Sequence, residues 1–135
     1  MRIVLDTNVL VSGLYNPNGT PGRLVELILG GRIRVLYDDR ILSEYLEVLA
    51  RAELAIEASL AQAVIGYIRL AGERITASPL PADALPDPDD IPFAEVAITG
   101  DAEVLVTGNM KHFSGLKGQY AAIMTPSQCL EHITK

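Results

Sequence analysis

The sequence contains a single cysteine, Cys129, so no disulfide can form within the chain. This excludes the disulfide-stapled secreted domains and leads us to expect a cytoplasmic protein. Long apolar runs are also missing. The apolar stretch from Ile3 is interrupted by Asp6 after three residues, which is too short for a signal peptide. No segment approaches the roughly 20 apolar residues that span a bilayer, so we expect no membrane association.

The sequence also lacks an excess of positive charge. The net charge is −6 and the sequence pI is about 4.8. A protein that binds a polyanion by electrostatics alone should be basic, so this charge argues against a simple non-specific nucleic-acid binder. It does not exclude an enzyme whose acids hold divalent cations, because the cation then meets the phosphate.

Apolar residues make up 49% of the 135 residues and charged residues 21%. This is enough material for one core, whereas a second core would need roughly another 100 residues. We therefore expect one domain over residues 1–135. The proline- and aspartate-rich stretch Ser78–Asp90 is too central for a domain boundary, and we interpret it as a loop that places acids.

Short apolar, β-branched runs alternate with longer amphipathic ones. The predicted strands are Ile3–Leu5, Ile33–Tyr37, a weaker edge strand Arg74–Ala77, Val104–Val106 and Ala121–Met124. The predicted helices are Pro21–Leu29, Arg40–Arg51, Glu57–Leu70, Ile91–Thr99 and Ser127–Ile133. Wholly apolar strands are typical of burial on both faces, and the alternation predicts a layered α/β fold around a parallel sheet.

Acids follow several of these elements. Asp6 comes directly after the first strand, where ligands bind in doubly wound sheets, although it could merely cap a helix or form an Asx turn with Asn8. Glu44 lies at the border of the apolar face of its helix, where it could point along the sheet edge or pair with Arg40. Asp90 ends a run of three close carboxylates, which need a cation, solvent or a capping role.

Polar groups follow the fourth strand. Thr107 and Asn109 could ligate a hard cation such as Mg²⁺ or Mn²⁺, or could be turn residues. Lys111, His112 and Lys117 could contact a phosphate backbone or form a solvated loop. If the first and fourth strands pair, Asp6 and Thr107 should lie side by side.

Four motifs in order resemble a known family. They are Leu5 to Ser12 (LDTNVLVS), Leu42 to Tyr45 (LSEY), Asp87 to Phe93 (DPDDIPF) and Val106 to Asn109 (VTGN). Together they are similar to PIN-domain proteins, and most to the toxin-like subgroup related to the nucleases of toxin–antitoxin pairs. The resemblance spans nearly the whole chain.

The resemblance implies a three-layer α/β/α fold with a five-stranded parallel sheet of order 3-2-1-4-5. It also implies RNA hydrolysis by a water molecule activated by Mg²⁺ or Mn²⁺, together with an antitoxin partner. Carried over by position, Asp6, Glu44 and Asp90 are the catalytic acids and metal ligands, and Asn109 is the fourth ligand. We assign substrate contacts to a further set of residues: Asn8, Arg23, Thr107, Lys111 and His112.

Asn109 departs from the family, which commonly has an acid there. An amide oxygen can ligate a cation but adds no charge, so a second metal site should be weakened most. One metal, reduced activity or none are all consistent with this change. The alternative function is therefore a PIN-like module that binds RNA or protein without catalysis. Phosphatases of the haloacid-dehalogenase type fit poorly, because they need an aspartate where this chain has Asn8. Receiver domains also fit poorly, because they need a lysine where this chain has Thr125-Pro126.

The predicted helix Glu57–Leu70 is apolar on more than one face. PIN relatives commonly pair, so the resemblance implies a homodimer through this helix. Simple packing of the helix on the sheet explains the same pattern. The sequence does not reveal the target RNA, the cleavage motif or the antitoxin.

Overall fold

The computed structural model describes residues 1–116 and 122–134. Five parallel strands form one sheet in the order β3-β2-β1-β4-β5. The strands are β1 (Arg2–Leu5), β2 (Arg34–Tyr37), β3 (Glu73–Arg74), β4 (Val104–Val106) and β5 (Ile123–Met124). The strand order, the parallel pairing and the predicted α/β/α class are confirmed.

Six α-helices flank the sheet in the described ranges. They are α1 (Thr7–Tyr15), α2 (Thr20–Leu29), α3 (Asp39–Leu49), α4 (Ala58–Ala71), α5 (Ile91–Thr99) and α6 (Pro126–Thr134). Five of them match the predicted helices to within two residues at each end. A further helix, α1, was not predicted.

The sequence of α1 does not favour a helix by itself. It contains Thr7, Val9 and Val11, which are β-branched, and Gly13. Its stability comes from packing, since α1 lies against α2 and α3. At Gly13 a Cβ atom would lie 2.6 Å from Cγ2 of Val25 in α2, so only glycine permits this close approach. The packing fixes the position of the amino end of α1, which follows Asp6.

The edge strand β3 differs from its prediction. It begins at Glu73 and ends at Arg74 instead of running to Ala77. Ile75 still donates to Tyr37, but two later backbone N–H groups donate to side chains of α5: Ser78 to Thr99 at 2.9 Å and Leu80 to Glu95 at 2.6 Å. The chain leaves the sheet because α5 offers these acceptors. Of the predicted fifth strand, Ala121 lies outside the described residues and the strand itself begins at Ile123.

The central pair of strands is the most buried part of the sheet. Every residue of β4 is buried, as are Ile3, Val4 and Leu5 of β1. Leu5 pairs with Val106 in register, and the N–H of Asp6 donates to the carbonyl of Val106 at 2.9 Å. The residues after the two strands are therefore neighbours at the carboxyl edge of the sheet.

Helix α4 uses one face for the core. Ala61, Val64, Ile65 and Ile68 are buried, and the helix packs on β2 and α3. One face of the predicted apolar surface is thus covered by the chain itself, while Leu60 remains 43% and Leu70 87% exposed. Among the described helices, none has the length and apolar content to cross a membrane.

Candidate active site

Asp6 and Thr107 form the centre of the candidate site. Both are buried, and the hydroxyl of Thr107 donates a hydrogen bond of 2.7 Å to Oδ2 of Asp6. Asp6 stands at the N-cap of α1, but its side chain makes no capping hydrogen bond. Burial raises the pKa of Asp6 above its ordinary value, although Thr107, the N–H of Thr7 and His112 each act to lower it. The carboxylate is therefore oriented for something other than capping.

Glu44 faces the same edge from α3. It accepts a hydrogen bond from the hydroxyl of Thr7, in the first turn of α1. It does not pair with Arg40, which binds Asp38 at 2.6 Å and Glu95 at 2.7 Å instead. Since Arg40 is engaged elsewhere, the helical-pair interpretation of Glu44 is wrong.

Asp90 lies between a short 3-10 turn, Pro88–Asp90, and α5. The capping role in this acidic run falls to Asp87, whose side chain accepts from the N–H of Asp89 at 2.9 Å. Asp90 occupies the N-cap position of α5 but makes no capping hydrogen bond there. Its Oδ2 atom is buried, and no described group donates a hydrogen bond to it.

The three acids are close enough to affect one another. Burial raises the pKa of Asp90 from 3.8 to about 6, with repulsion from Asp6, Asp87 and Glu44 adding to the rise and His112 opposing it. Burial also raises the pKa of Glu44, with further contributions from Asp6 and other acids, while Thr7 lowers it. The edge of the sheet thus holds carboxylates whose charged forms are disfavoured. A nearby positive charge would relieve this.

A 3-10 segment, Met110–Leu116, follows β4 and closes one side of the site. Its buried Phe113 and Leu116 anchor it to the core, so it is not the solvated loop that the sequence allowed. The N–H of Asn109 donates to the hydroxyl of Thr107 at 3.0 Å, and the amide nitrogen of Asn109 lies 2.9 Å from Nε2 of His112. Nδ1 of His112 lies 3.1 Å from Oδ2 of Asp90. This contact is off the hydrogen-bond axis, so the oxygen keeps a free lone pair.

The chemistry of these donors fits a hard divalent cation. Asp6, Glu44 and Asp90 offer carboxylate oxygens, the donors that Mg²⁺ and Mn²⁺ prefer, and one buried oxygen of Asp90 has no hydrogen-bond donor. Over residues 1–116 and 122–134, however, no three His, Cys, Asp or Glu side chains stand closely enough to hold an ion as they are placed. Sharing one ion would require the carboxylates to move closer together.

The predicted substrate contacts are spread more widely. Asn8 is exposed at the start of α1, near the acids, and Lys111 is exposed on the 3-10 segment. Arg23 is exposed on α2 and lines a depression between α2 and α6, where it contacts none of the acids. His112 touches Asp90. Lys117 lies outside the described residues.

The sequence does not reveal the roles of two supporting residues. Thr7 belongs to the first motif, and its hydroxyl holds Glu44. Tyr45 belongs to the second motif, and its hydroxyl donates to the carbonyl of Leu5, the residue before Asp6, at 2.5 Å. The only indication in the sequence was their position next to a predicted acid.

Comparison with known proteins agrees with this geometry. A profile described as the PIN domain matches residues 2–111. An uncharacterized protein of Methanocaldococcus jannaschii is 26% identical over 147 aligned positions, covering all of this chain and 93% of that protein. The crystal structure of VapBC2 from Rickettsia felis, bound to a DNA fragment from their promoter, superposes with a TM-score of 0.54. At 18% identity, over 92% of this chain and 97% of that one, this likeness shows the fold.

The chain belongs to the PIN-domain family, because the profile covers most of its length. Members of this family are generally nucleases that use divalent metal ions. The class of protein predicted from the four motifs is confirmed. The substrate, the ion and the physiological role are proposals.

Proposed function

We propose that this protein is a Mg²⁺- or Mn²⁺-dependent endoribonuclease and the toxin of a toxin–antitoxin pair. The observation that carries the proposal is the meeting of Asp6, Glu44 and Asp90 at the carboxyl edge of a PIN sheet, where their pKa values are raised. Raised pKa values at a sheet edge are typical of functional sites. The toxin assignment is supported by the resemblance to the toxin-like subgroup and by the fold likeness to VapBC2.

Asp6 and Asp90 would be the main ligands of the ion, and Glu44 the third. A divalent cation bound there would stabilise the charge that develops on the phosphate and make a water molecule easier to deprotonate. Glu44 is suited to accept the proton of the attacking water at its free oxygen, because burial raises its pKa above the ordinary value and Thr7 fixes its other oxygen. Thr107 keeps Asp6 in one orientation.

The test is cleavage of a fluorescently labelled single-stranded RNA, with Mn²⁺ or Mg²⁺ and with EDTA. We expect cleavage with either ion and none with EDTA. Single-stranded DNA of the same sequence should remain intact. Asp6→Asn and Asp90→Asn should abolish cleavage, since each removes a negative ligand.

Asp101→Asn is the matched control. It removes the same charge, but Asp101 is exposed in the turn before β4, at the opposite end of that strand from Thr107. Its φ of 51° is one that asparagine tolerates, so the variant should fold and cleave normally. Equal cleavage by wild type and Asp6→Asn would reveal a contaminating nuclease.

A non-catalytic PIN-like module is the second candidate. It is favoured by the amide at Asn109 and by the absence of a preformed three-ligand group among the described residues. On this alternative the protein would bind the labelled RNA equally in EDTA and in Mn²⁺ and would leave it uncut.

The toxin role has its own test. Induced expression of the wild type should arrest bacterial growth, whereas Asp6→Asn should not. Co-expression of a protein encoded beside this gene should restore growth by binding the toxin. Growth arrest that persists with Asp6→Asn would show that the toxicity does not depend on RNA cleavage.

A further inference from the structure

The side chains of Asn109 and His112 form a short chain of contacts that ends at Asp90. The Asn109 amide nitrogen lies 2.9 Å from Nε2 of His112, and Nδ1 of the same ring lies 3.1 Å from Oδ2 of Asp90. Both residues belong to the segment after β4 that also supplies Thr107 to Asp6. One segment therefore touches both Asp6 and Asp90.

The contacts define the proton positions on the neutral imidazole. An amide nitrogen can only donate, so Nε2 of His112 must be the acceptor. The ring proton is then on Nδ1, which lies 3.1 Å from Oδ2 of Asp90 without forming an aligned hydrogen bond to it. If the proton were on Nε2 instead, the N–H groups of Nε2 and of the Asn109 amide would point at each other. The lone pair of Nδ1 would then lie next to the carboxylate of Asp90. The arrangement is consistent in only one tautomer.

We propose that Asn109 and His112 act as one positioning unit for Asp90, and that Asn109 is not itself a ligand of the ion. The unit orients the carboxylate through the close electrostatic contact of the Nδ1–H group of His112 with Oδ2 of Asp90. It leaves the lone pair of Oδ2 free, because the contact is off the hydrogen-bond axis. This inference rests on the proposed ion-dependent function, and it gives His112 a role other than phosphate contact.

The unit also explains the departure from the family at position 109. A carboxylate there would accept a hydrogen bond from Nε2–H, and in the neutral ring that tautomer leaves no N–H on Nδ1, the side of Asp90. An amide that donates to Nε2 is required for the observed contacts. The asparagine is thus matched to His112 and is not simply a lost acid.

The first experiment is a calorimetric Mn²⁺ titration of the purified protein. His112→Gln should weaken Mn²⁺ binding by about 10- to 100-fold, the usual effect of removing a group that orients a ligand. His112→Asn should bind within a few-fold of wild type, because the asparagine amide nitrogen lies near the place of Nδ1, whereas that of glutamine lies near Nε2. A role in packing alone would not separate these two variants. Equal affinity of wild type and both variants would overturn the proposal.

Asn109→Asp separates positioning from ligation. A ligand at position 109 would bind Mn²⁺ more tightly as a carboxylate, whereas the positioning unit predicts unchanged or weaker binding. Asn109→Ala combined with His112→Gln should be no worse than His112→Gln alone, because the two residues act through one contact. Tighter Mn²⁺ binding by Asn109→Asp would show that Asn109 is a ligand of the ion and would overturn this part of the proposal.

The second experiment needs no ion and no variant that might fail to fold. Long-range ¹H–¹⁵N NMR spectra at mildly alkaline pH report which ring nitrogen carries the proton. The chain has two histidines, and His132, exposed on α6, is the internal reference. We expect the Nδ1–H form for His112 and the ordinary solvent mixture for His132. An Nε2–H form at His112 would overturn the proposal.

The outcomes also distinguish this inference from the proposed function. A wild type that binds no Mn²⁺ and cuts no RNA would overturn the proposed function and, with it, the positioning role. A wild type that binds Mn²⁺ and cuts RNA, with all His112 variants alike, would overturn the positioning unit alone.

Discussion

Replacing Asp90 by asparagine should stabilise the folded protein at neutral pH in EDTA, although it should abolish activity. Burial and repulsion from Asp6 raise the pKa of Asp90 from 3.8 to about 6. A carboxyl group with a raised pKa contributes full stability below pH 3.8, and this contribution is lost as the pH rises through about 6. The asparagine amide does not titrate, so the variant avoids this loss.

The magnitude follows from the pKa. One pKa unit corresponds to about 1.4 kcal/mol, so the rise sets an upper limit of about 3 kcal/mol. Solvent reaches part of the Asp90 side chain, which is 12% exposed, and screens some of the repulsion; the substitution also weakens the favourable contact with His112. We therefore expect about 1–2 kcal/mol of added stability above pH 6, or about 3–8 °C in Tm for a domain of this size.

The assay is thermal and urea unfolding of wild type and Asp90→Asn in EDTA, from pH 4 to pH 8. The two proteins should have nearly equal stability at pH 4 and should diverge between pH 4 and pH 6. Asp101→Asn, which removes a charge outside the site, should follow wild type throughout. An Asp90→Asn variant that is less stable than wild type at pH 8 would refute the reasoning, because the carboxylate would then be stabilised in its charged form.

Three other predictions test the surroundings of the site. Thr7→Val should reduce RNA cleavage by on the order of 10-fold, whereas Thr7→Ser should retain it, because only serine keeps the hydroxyl that holds Glu44. Similar cleavage rates for the two variants would exclude that contact from catalysis. Arg40→Met should lower the free energy of unfolding, measured in urea, by about 1–3 kcal/mol, because it leaves the buried Glu95 without its ion pair. An unchanged free energy of unfolding would show that solvent compensates for the lost ion pair. We propose a homodimer through α4, in which the exposed Leu60 contacts the partner. Light scattering at micromolar concentration should therefore report a dimer for the wild type and a monomer for Leu60→Glu. A monomeric wild type would reject the homodimer.

The strands and most of the helices could be predicted because their sequence patterns are local. Val104–Val106 was predicted with its observed bounds, and so was Ile91–Thr99, because Pro92 and Gly100 mark the ends of the helix. Helix α1 could not be predicted this way. Its residues have low helix propensity, and the helix forms because Gly13 lets it approach α2.

The acids of the candidate site are predictable from their positions after the predicted elements and from the resemblance. The pairing of Leu5 with Val106 confirmed that Asp6 and Thr107 are neighbours. The partners of these acids could not be predicted. Glu44 contacts Thr7 across 37 positions of sequence, and Asp90 meets His112 only because the 3-10 segment folds back over the edge.

The sequence by itself determined the α/β class, the strand order implied by the family motifs, and the positions of the acids of the candidate site. These features depend on residue type and on spacing along the chain. Tertiary structure alone decided which groups each acid meets, that Asp87 and not Asp90 serves as a cap, and that the amide of Asn109 faces His112. Such contacts join residues that are distant in sequence or that compete for the same partner. They are therefore set by how the helices pack on the sheet.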